Sequence, residues 1–204
     1  MGPAYRIETA RLLLRCWSPG GAQLLKEAVD AGLEHLRPWM PWANDEATDV
    51  DSRVALLREF RAKFDLGQDF VYGIFDADES GVLGGTGLHM RSGPDVREIG
   101  YWIHIDHIGK GLATESTAAL TNVAFVVDGV SRVEIRCDPA NVRSFAVPAK
   151  LGFTHEATLR RAGIAGDGSA GDTMVWTLLA EEFPSSPAAK AVLSAFDATG
   201  RRLV

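Results

Sequence analysis

The sequence predicts an α+β domain, a mixed and mostly antiparallel central sheet flanked by helices. Three observations carry this reading. Between residues 70 and 105 the apolar period is two, in the segments "FVYGIFD" (70–76), "GVLGGTGLHM" (81–90) and "REIGYWIHI" (97–105), joined by short turns as in a meander. A helix-like run, "GLATESTAALTNVAFVV" (111–127), then leads to the strand-like "SRVEIRC" (131–137), which makes one β-α-β crossover. Upstream, residues 21–36 repeat apolar side chains every three or four positions through Leu24, Leu25, Ala28, Val29, Leu33 and Leu36.

The remaining elements follow in order. "RLLLRCW" (11–17) reads as a short strand and "SPGGAQ" as its stop. The two prolines of "RPWMPWAN" (37–44) exclude a regular helix, so Trp39, Met40 and Trp42 sit on a loop. Residues 49–66 return to helical spacing through Val54, Leu57, Phe60 and Phe64. "NVRSFAVPAKLGF" (141–153) reads as a short helix stopped by Gly152, with a bend expected between Ser144 and Pro148. Strands near 154–160 and 173–179 flank the flexible "GIAGDGSAG". Residues 5–183 make a single domain. "PSSP" then sets off a C-terminal extension, 184–204, in which 187–197 is expected to form a short amphipathic helix packed on the domain or on a second subunit.

The chain has 204 residues, 46% hydrophobic and 24% charged, and a net charge of −6. That suits one soluble domain with a sizeable core and lacks the basic footprint of a nucleic-acid binder. The start "MGPAYRIETARLLLRCW" has no apolar signal core, and no run is long enough to span a bilayer, so a cytoplasmic location is expected. Cys16 and Cys137 lie far apart and read as reduced thiols. His104 and His107 have no third ligand nearby, so no metal is expected.

The functional signal is "HIDHIGKGLAT" (104–114), a glycine turn that follows a strand and opens a helix. Such a turn brings unpaired N–H groups and a partial positive charge to an anion, and glycine removes the Cβ that would hold it off. Gly109, Lys110, Gly111, Leu112, Ala113 and Thr114 therefore form a candidate phosphate cradle. Lys110 is followed by glycine rather than Ser or Thr, which rules out a Walker loop; "GKGLAT" is GxGxxT, which falls short of the dinucleotide fingerprint. Coenzyme A and a plain tight turn stay open on the loop alone.

The ordered set "TARLLLR", "LRPWMPWA", "EIGYWI", "GKGLATES" and "NVRSFAVPAKLGF" resembles the GNAT (GCN5-related N-acetyltransferase) superfamily, and within it the RimJ/RimL-like ribosomal-protein N-acetyltransferases, over roughly residues 5 to 180. The resemblance implies a GNAT fold with a splayed cofactor cleft and transfer of acetyl from acetyl-CoA to a primary amine. It lays the cofactor motif on Ile108, Gly111 and Ala113, where Ile108 replaces the usual polar side chain. It implies backbone contacts to the thioester and pantetheine from Ile103, His104 and Ile105 at a β-bulge, a pantetheine contact from Asn141, and a thiol contact from Ser144. Many GNAT enzymes carry a tyrosine where this chain has Pro148. Glu98, on the strand leading to the loop and in phase with Gly100, Trp102 and His104, is the candidate base. Asn141 also suits a helix N-cap.

Trp39, Met40 and Trp42, with Tyr101, are the expected acceptor-binding residues. The acceptor is expected to be a peptide or protein N-terminal amine first and a small-molecule amine second. Another donor such as succinyl-CoA, with Arg91, Arg97 or Arg143 near its acid, is an alternative; a CoA-binding module without transfer is a third. A homodimer completes the expectations.

Overall fold

A computed structural model describes residues 2–44 and 49–204. The strands are β1 (Arg6–Glu8), β2 (Leu13–Cys16), β3 (Phe70–Phe75), β4 (Val82–His89), β5 (Val96–Ile103), β6 (Arg132–Cys137), β7 (Thr154–Ile164), β8 (Ala170–Leu179) and β9 (Ser194–Phe196). The helices are α1 (Ala22–Leu36), α2 (Val50–Asp65), α3 (Leu112–Val126) and α4 (Val142–Leu151). The described strands form one sheet in the order β7-β8-β6-β5-β4-β3-β2-β1-β9. Every neighbouring pair is antiparallel except β5–β6, the pair joined by α3. The predicted α+β class and the single crossover are both present.

One face of the sheet packs against α3, whose Ala119, Leu120, Val123 and Ala124 are fully buried with Ile99, Val133 and Ile135. The other face packs against α1 through Leu25, Ala28 and Val29, around Trp17 and Leu57. α2 starts where the Asp49 carboxylate accepts from the Ser52 N–H at 2.7 Å.

The β5–β6 pairing places the site. It runs only from Val96↔Arg132 to Glu98↔Glu134. Beyond it β5 continues to Ile103 and β6 to Cys137 without pairing with each other, so the sheet opens into a cleft floored by Glu98. The expected opening device was a β-bulge near Ile103 to Ile105. The β4–β5 register instead runs without a shift from Gly84↔Ile103 to His89↔Glu98. Divergence of two parallel neighbours does the splaying.

The tail corrects the expectation of a helix over 187–197. Pro187–Lys190 is a single 3-10 turn, and Ser194–Phe196 is β9, paired with β1 from Arg6↔Phe196 to Glu8↔Ser194. Two causes act together. Pro187 and the Ser186 cap, which accepts from the Ala189 N–H, suit a short turn. The free edge of β1 then offers backbone partners that a surface helix would leave unmet. The last residues fold back on β9, with the Leu203 N–H donating to Ala195 O at 2.7 Å.

Candidate active site

The glycine turn comes first in the chain. After β5 the backbone makes a 3-10 turn, Ile105–His107, capped by His104, whose Nδ1 accepts from the Asp106 N–H at 3.2 Å. Gly109 and Gly111 both adopt left-handed φ, +74° and +80°. A side chain is strained there whatever the space, which explains the GKG spacing. Gly111 is the N-cap of α3 and has no side chain to cap it. The first-turn N–H groups of Leu112, Ala113 and Thr114 therefore have no partner within the helix, and nothing lies within 4 Å of where a Cβ on Gly109 would sit. The turn is tied down from outside. Arg11 Nη1 donates to Lys110 O at 3.0 Å while the same guanidinium pairs with Glu115 at 2.6 Å. This cradle fits a pyrophosphate, with Lys110 and Arg11 as its nearby cations. Ile108 is half-buried and contributes no charge.

Across the opening lies α4. Asn141 caps it, its Oδ1 accepting from the Ser144 N–H at 3.1 Å. The helix runs from Val142 to Leu151 with Pro148 inside it. The cost of that proline falls on the carbonyl four residues back, which is Ser144. Tyr101 Oη supplies the missing donor, bonding Ser144 O at 2.8 Å and lying 3.3 Å from Ser144 Oγ. Burial pushes the Tyr101 hydroxyl well above the usual tyrosine range. Tyr101, placed in sequence among acceptor-binding residues, is thus bound to α4 as well as lining the cleft.

Between the opened sheet and the α1–α2 side lies a cavity of about 750 Å³. Trp39, Met40, Trp42, Glu98, Tyr101, Asn141 and Ser144 all line it. The structure brings together seven residues drawn from three separate stretches of sequence. Trp42 meets Trp102 edge to face at 6.3 Å, so part of its surface covers the sheet.

Glu98 is buried, and Arg91 Nη1 holds it at 2.6 Å; Arg136 Nε stands 3.7 Å away. Neither arginine contact is legible from "EIGYW". Of the other arginines considered for a longer acyl chain, Arg97 is buried against Asp128 at 2.9 Å, away from the cavity. The His104 N–H, one of the expected carbonyl donors, already donates to Leu83 O at 2.9 Å. Cys137 lines the cavity beside Ser144, and burial pushes its thiol up to about 11 against the opposing effect of a Ser144 hydrogen bond. His89 and Asp69 line it too, joined Nδ1 to Oδ1 at 2.8 Å. The sequence reading passed over this pair because its members sit twenty residues apart on either side of a hairpin.

The acetyltransferase (GNAT) domain model matches residues 11–154, which include the glycine turn, β4 to β6 and α4. The chain belongs to the GNAT acetyltransferase family. This acetyltransferase is 27% identical over 174 residues to the putative ribosomal N-acetyltransferase YdaF of Bacillus subtilis (strain 168), covering 84% of this chain and 93% of that one. It is 28% identical over 160 residues to the [Ribosomal protein uS5]-alanine N-acetyltransferase of Escherichia coli (strain K12), covering 76% and 80%. Mycobacterium smegmatis RimJ, solved in complex with CoA-disulfide, superposes with a TM-score of 0.83 at 25% identity, covering 93% of this chain and 95% of that one. The GNAT domain fixes the activity as N-acetyl transfer, with acetyl-CoA as the donor.

Proposed function

We propose that this GNAT enzyme acetylates the N-terminal amine of a protein or peptide. The observation that carries the reading is the shape of the acceptor side. A second pocket of about 310 Å³ lies between the 37–41 loop and the β7–β8 hairpin. Trp39, Pro41, Arg91, Arg136, Cys137 and Asp138 line both spaces, so the two adjoin. An extended chain can place its first residue at Glu98 and its next residues along the hairpin. The relatives named as ribosomal-protein acetyltransferases support the same acceptor class.

In this reading the cradle at Gly109–Thr114 holds the pyrophosphate through backbone N–H groups, with Lys110 and Arg11 at its rim. Ile103, His104, Ile105 and Asn141 flank the path of the pantetheine arm. Acetyl-CoA supplies an activated thioester carbon. Glu98 receives the ammonium group and takes part in removing its proton. Ser144 Oγ, on the first turn of α4, donates to the sulfur as it departs. Trp39, Met40 and Trp42 exclude water and cover the first acceptor residues. A homodimer and a cytoplasmic location belong to the same reading, supported by the long exposed edge strand β7 and by the acceptor class.

Thiol release measured over a panel of peptides and small amines tests the proposal. Turnover with peptides carrying a free N-terminus, and none with the same peptides blocked, is the expected result. Turnover with small amines alone would overturn it.

A further inference from the structure

The proton acceptor needs a group that can hold a proton without losing a partner. Glu98 does not meet this condition alone, because its carboxylate is engaged by Arg91 at 2.6 Å and faced by Arg136 at 3.7 Å. A proton placed on it competes with an existing ion pair. Its neighbour across the sheet meets the condition better. His89 is the register partner of Glu98. Directly opposed residues on antiparallel strands leave the sheet on one face with Cβ atoms about 4.5–5.5 Å apart.

Among the described residues the imidazole is hydrogen-bonded on one side only. Nδ1 bonds Asp69 Oδ1 at 2.8 Å. An ionised carboxylate only accepts, so in the neutral imidazole this bond places the ring proton on Nδ1 and the lone pair on Nε2. Two glycines make room for the Nε2 edge. A Cβ on Gly87 would lie 2.7 Å from Nε2, and one on Gly100 3.6 Å from it. Both His89 and Gly100 line the large cavity. A carboxylate that orients an imidazole on the wall of an acceptor site is an arrangement suited to a general base.

We propose that His89, oriented by Asp69, is the group that accepts the acceptor's proton, with Glu98 binding the ammonium. The assignment rests on the acetyl-transfer reading with an amine acceptor. Of the two protons the nitrogen gives up, one forms the His89 Nε2–H bond and leaves to solvent through the open cavity. The other ends on the departing sulfur. The nitrogen lone pair makes the new C–N bond as the C–S bond breaks. The imidazolium formed in between is balanced by Asp69. Other charges on the cavity wall are Arg91 and Arg136 at its rim, Asp138 beside them, Asp30 on α1 and Arg53 on α2.

The test compares two acceptor peptides of one sequence, one starting with an ordinary amino acid and one with an aminooxyacetyl group, whose nitrogen is already neutral at pH 7. For His89→Gln, kcat/KM on the ordinary peptide should fall about a hundredfold or more. It should stay near wild type on the aminooxy peptide, and the ordinary rate should recover as pH is raised and the ammonium loses its proton to solution. CoA affinity, read by calorimetry, should not change. In ¹⁵N NMR of the wild type, His89 should show a protonated Nδ1 and a bare Nε2, and Asp69→Asn should shift that balance. Equal losses on both peptides, or no loss on either, would remove His89 from the proton path while leaving acetyl transfer intact. Absence of transfer from the wild-type chain to either peptide would overturn the acceptor reading and this assignment with it.

Discussion

The Tyr101 hydroxyl donates to the Ser144 carbonyl at 2.8 Å, and that carbonyl is the one Pro148 leaves without a helical donor. One bond therefore joins β5 to the first turn of α4 across the cleft, and it ties a proline inside a helix to the placement of the Ser144 hydroxyl. The bond predicts a coupling. Tyr101→Phe strands a carbonyl and should destabilise the fold by about 1–3 kcal/mol. In a Pro148→Ala background the backbone N–H returns, and the same change should cost about 1 kcal/mol less. Denaturant unfolding of the four proteins of the cycle measures the difference.

Glu98→Gln keeps the shape of the side chain and removes its charge. Turnover should drop about 10²- to 10⁴-fold while CoA binding is retained. Stopped-time product assays alongside CoA titration separate the two quantities. Unchanged turnover would take Glu98 out of the mechanism.

The pyrophosphate cradle depends on backbone shape more than on side chains. Gly111→Ala forces a Cβ into a left-handed φ of +80°, at about 1–2 kcal/mol, so CoA affinity should fall about 5- to 30-fold. Ile108→Gln should act in the opposite sense by adding a polar group at the motif position this chain leaves apolar. Isothermal titration with CoA reads both changes; a Gly111→Ala enzyme with wild-type affinity would show that the left-handed turn is not needed.

Asp197 closes the turn after β9. Its carboxylate accepts from the N–H groups of Thr199 and Arg201, from the Thr199 hydroxyl and from the Arg201 guanidinium, and these bonds bring its pKa down to about 2. Because the folded value lies below the unfolded one, the stabilisation is fully present above about pH 4 and fades as pH falls toward 2. Asp197→Asn should therefore lower the melting temperature at pH 7, and the gap to wild type should narrow as the solution is acidified. Thermal scans from pH 7 down to 3 show whether it does.

Much of this architecture was legible in the chain because its signals are local. The change of apolar period at residue 70 predicted β3 to β5, the GKG spacing predicted a glycine turn opening a helix, which Gly109 and Gly111 make with left-handed φ, and Asn141 and Gly152 marked the ends of α4. Trp39, Met40, Trp42 and Glu98 were singled out from residue type and phase, and the fold gathers them in one cavity. The tail was misread because helical spacing over 187–197 competes with an open sheet edge that the sequence does not display.

By itself, then, the sequence determined the elements from β2 to β8, the crossover and the glycine turn, since each depends on residues within one turn or one strand of each other. The tertiary structure decided which side chains meet. Divergence of β5 from β6 after Glu98↔Glu134 opens the cleft. The same packing sets Arg91 against Glu98, Tyr101 against the carbonyl exposed by Pro148, and Asp69 against His89. Such contacts depend on strand register and on distances across the cleft, which no local pattern of residues encodes.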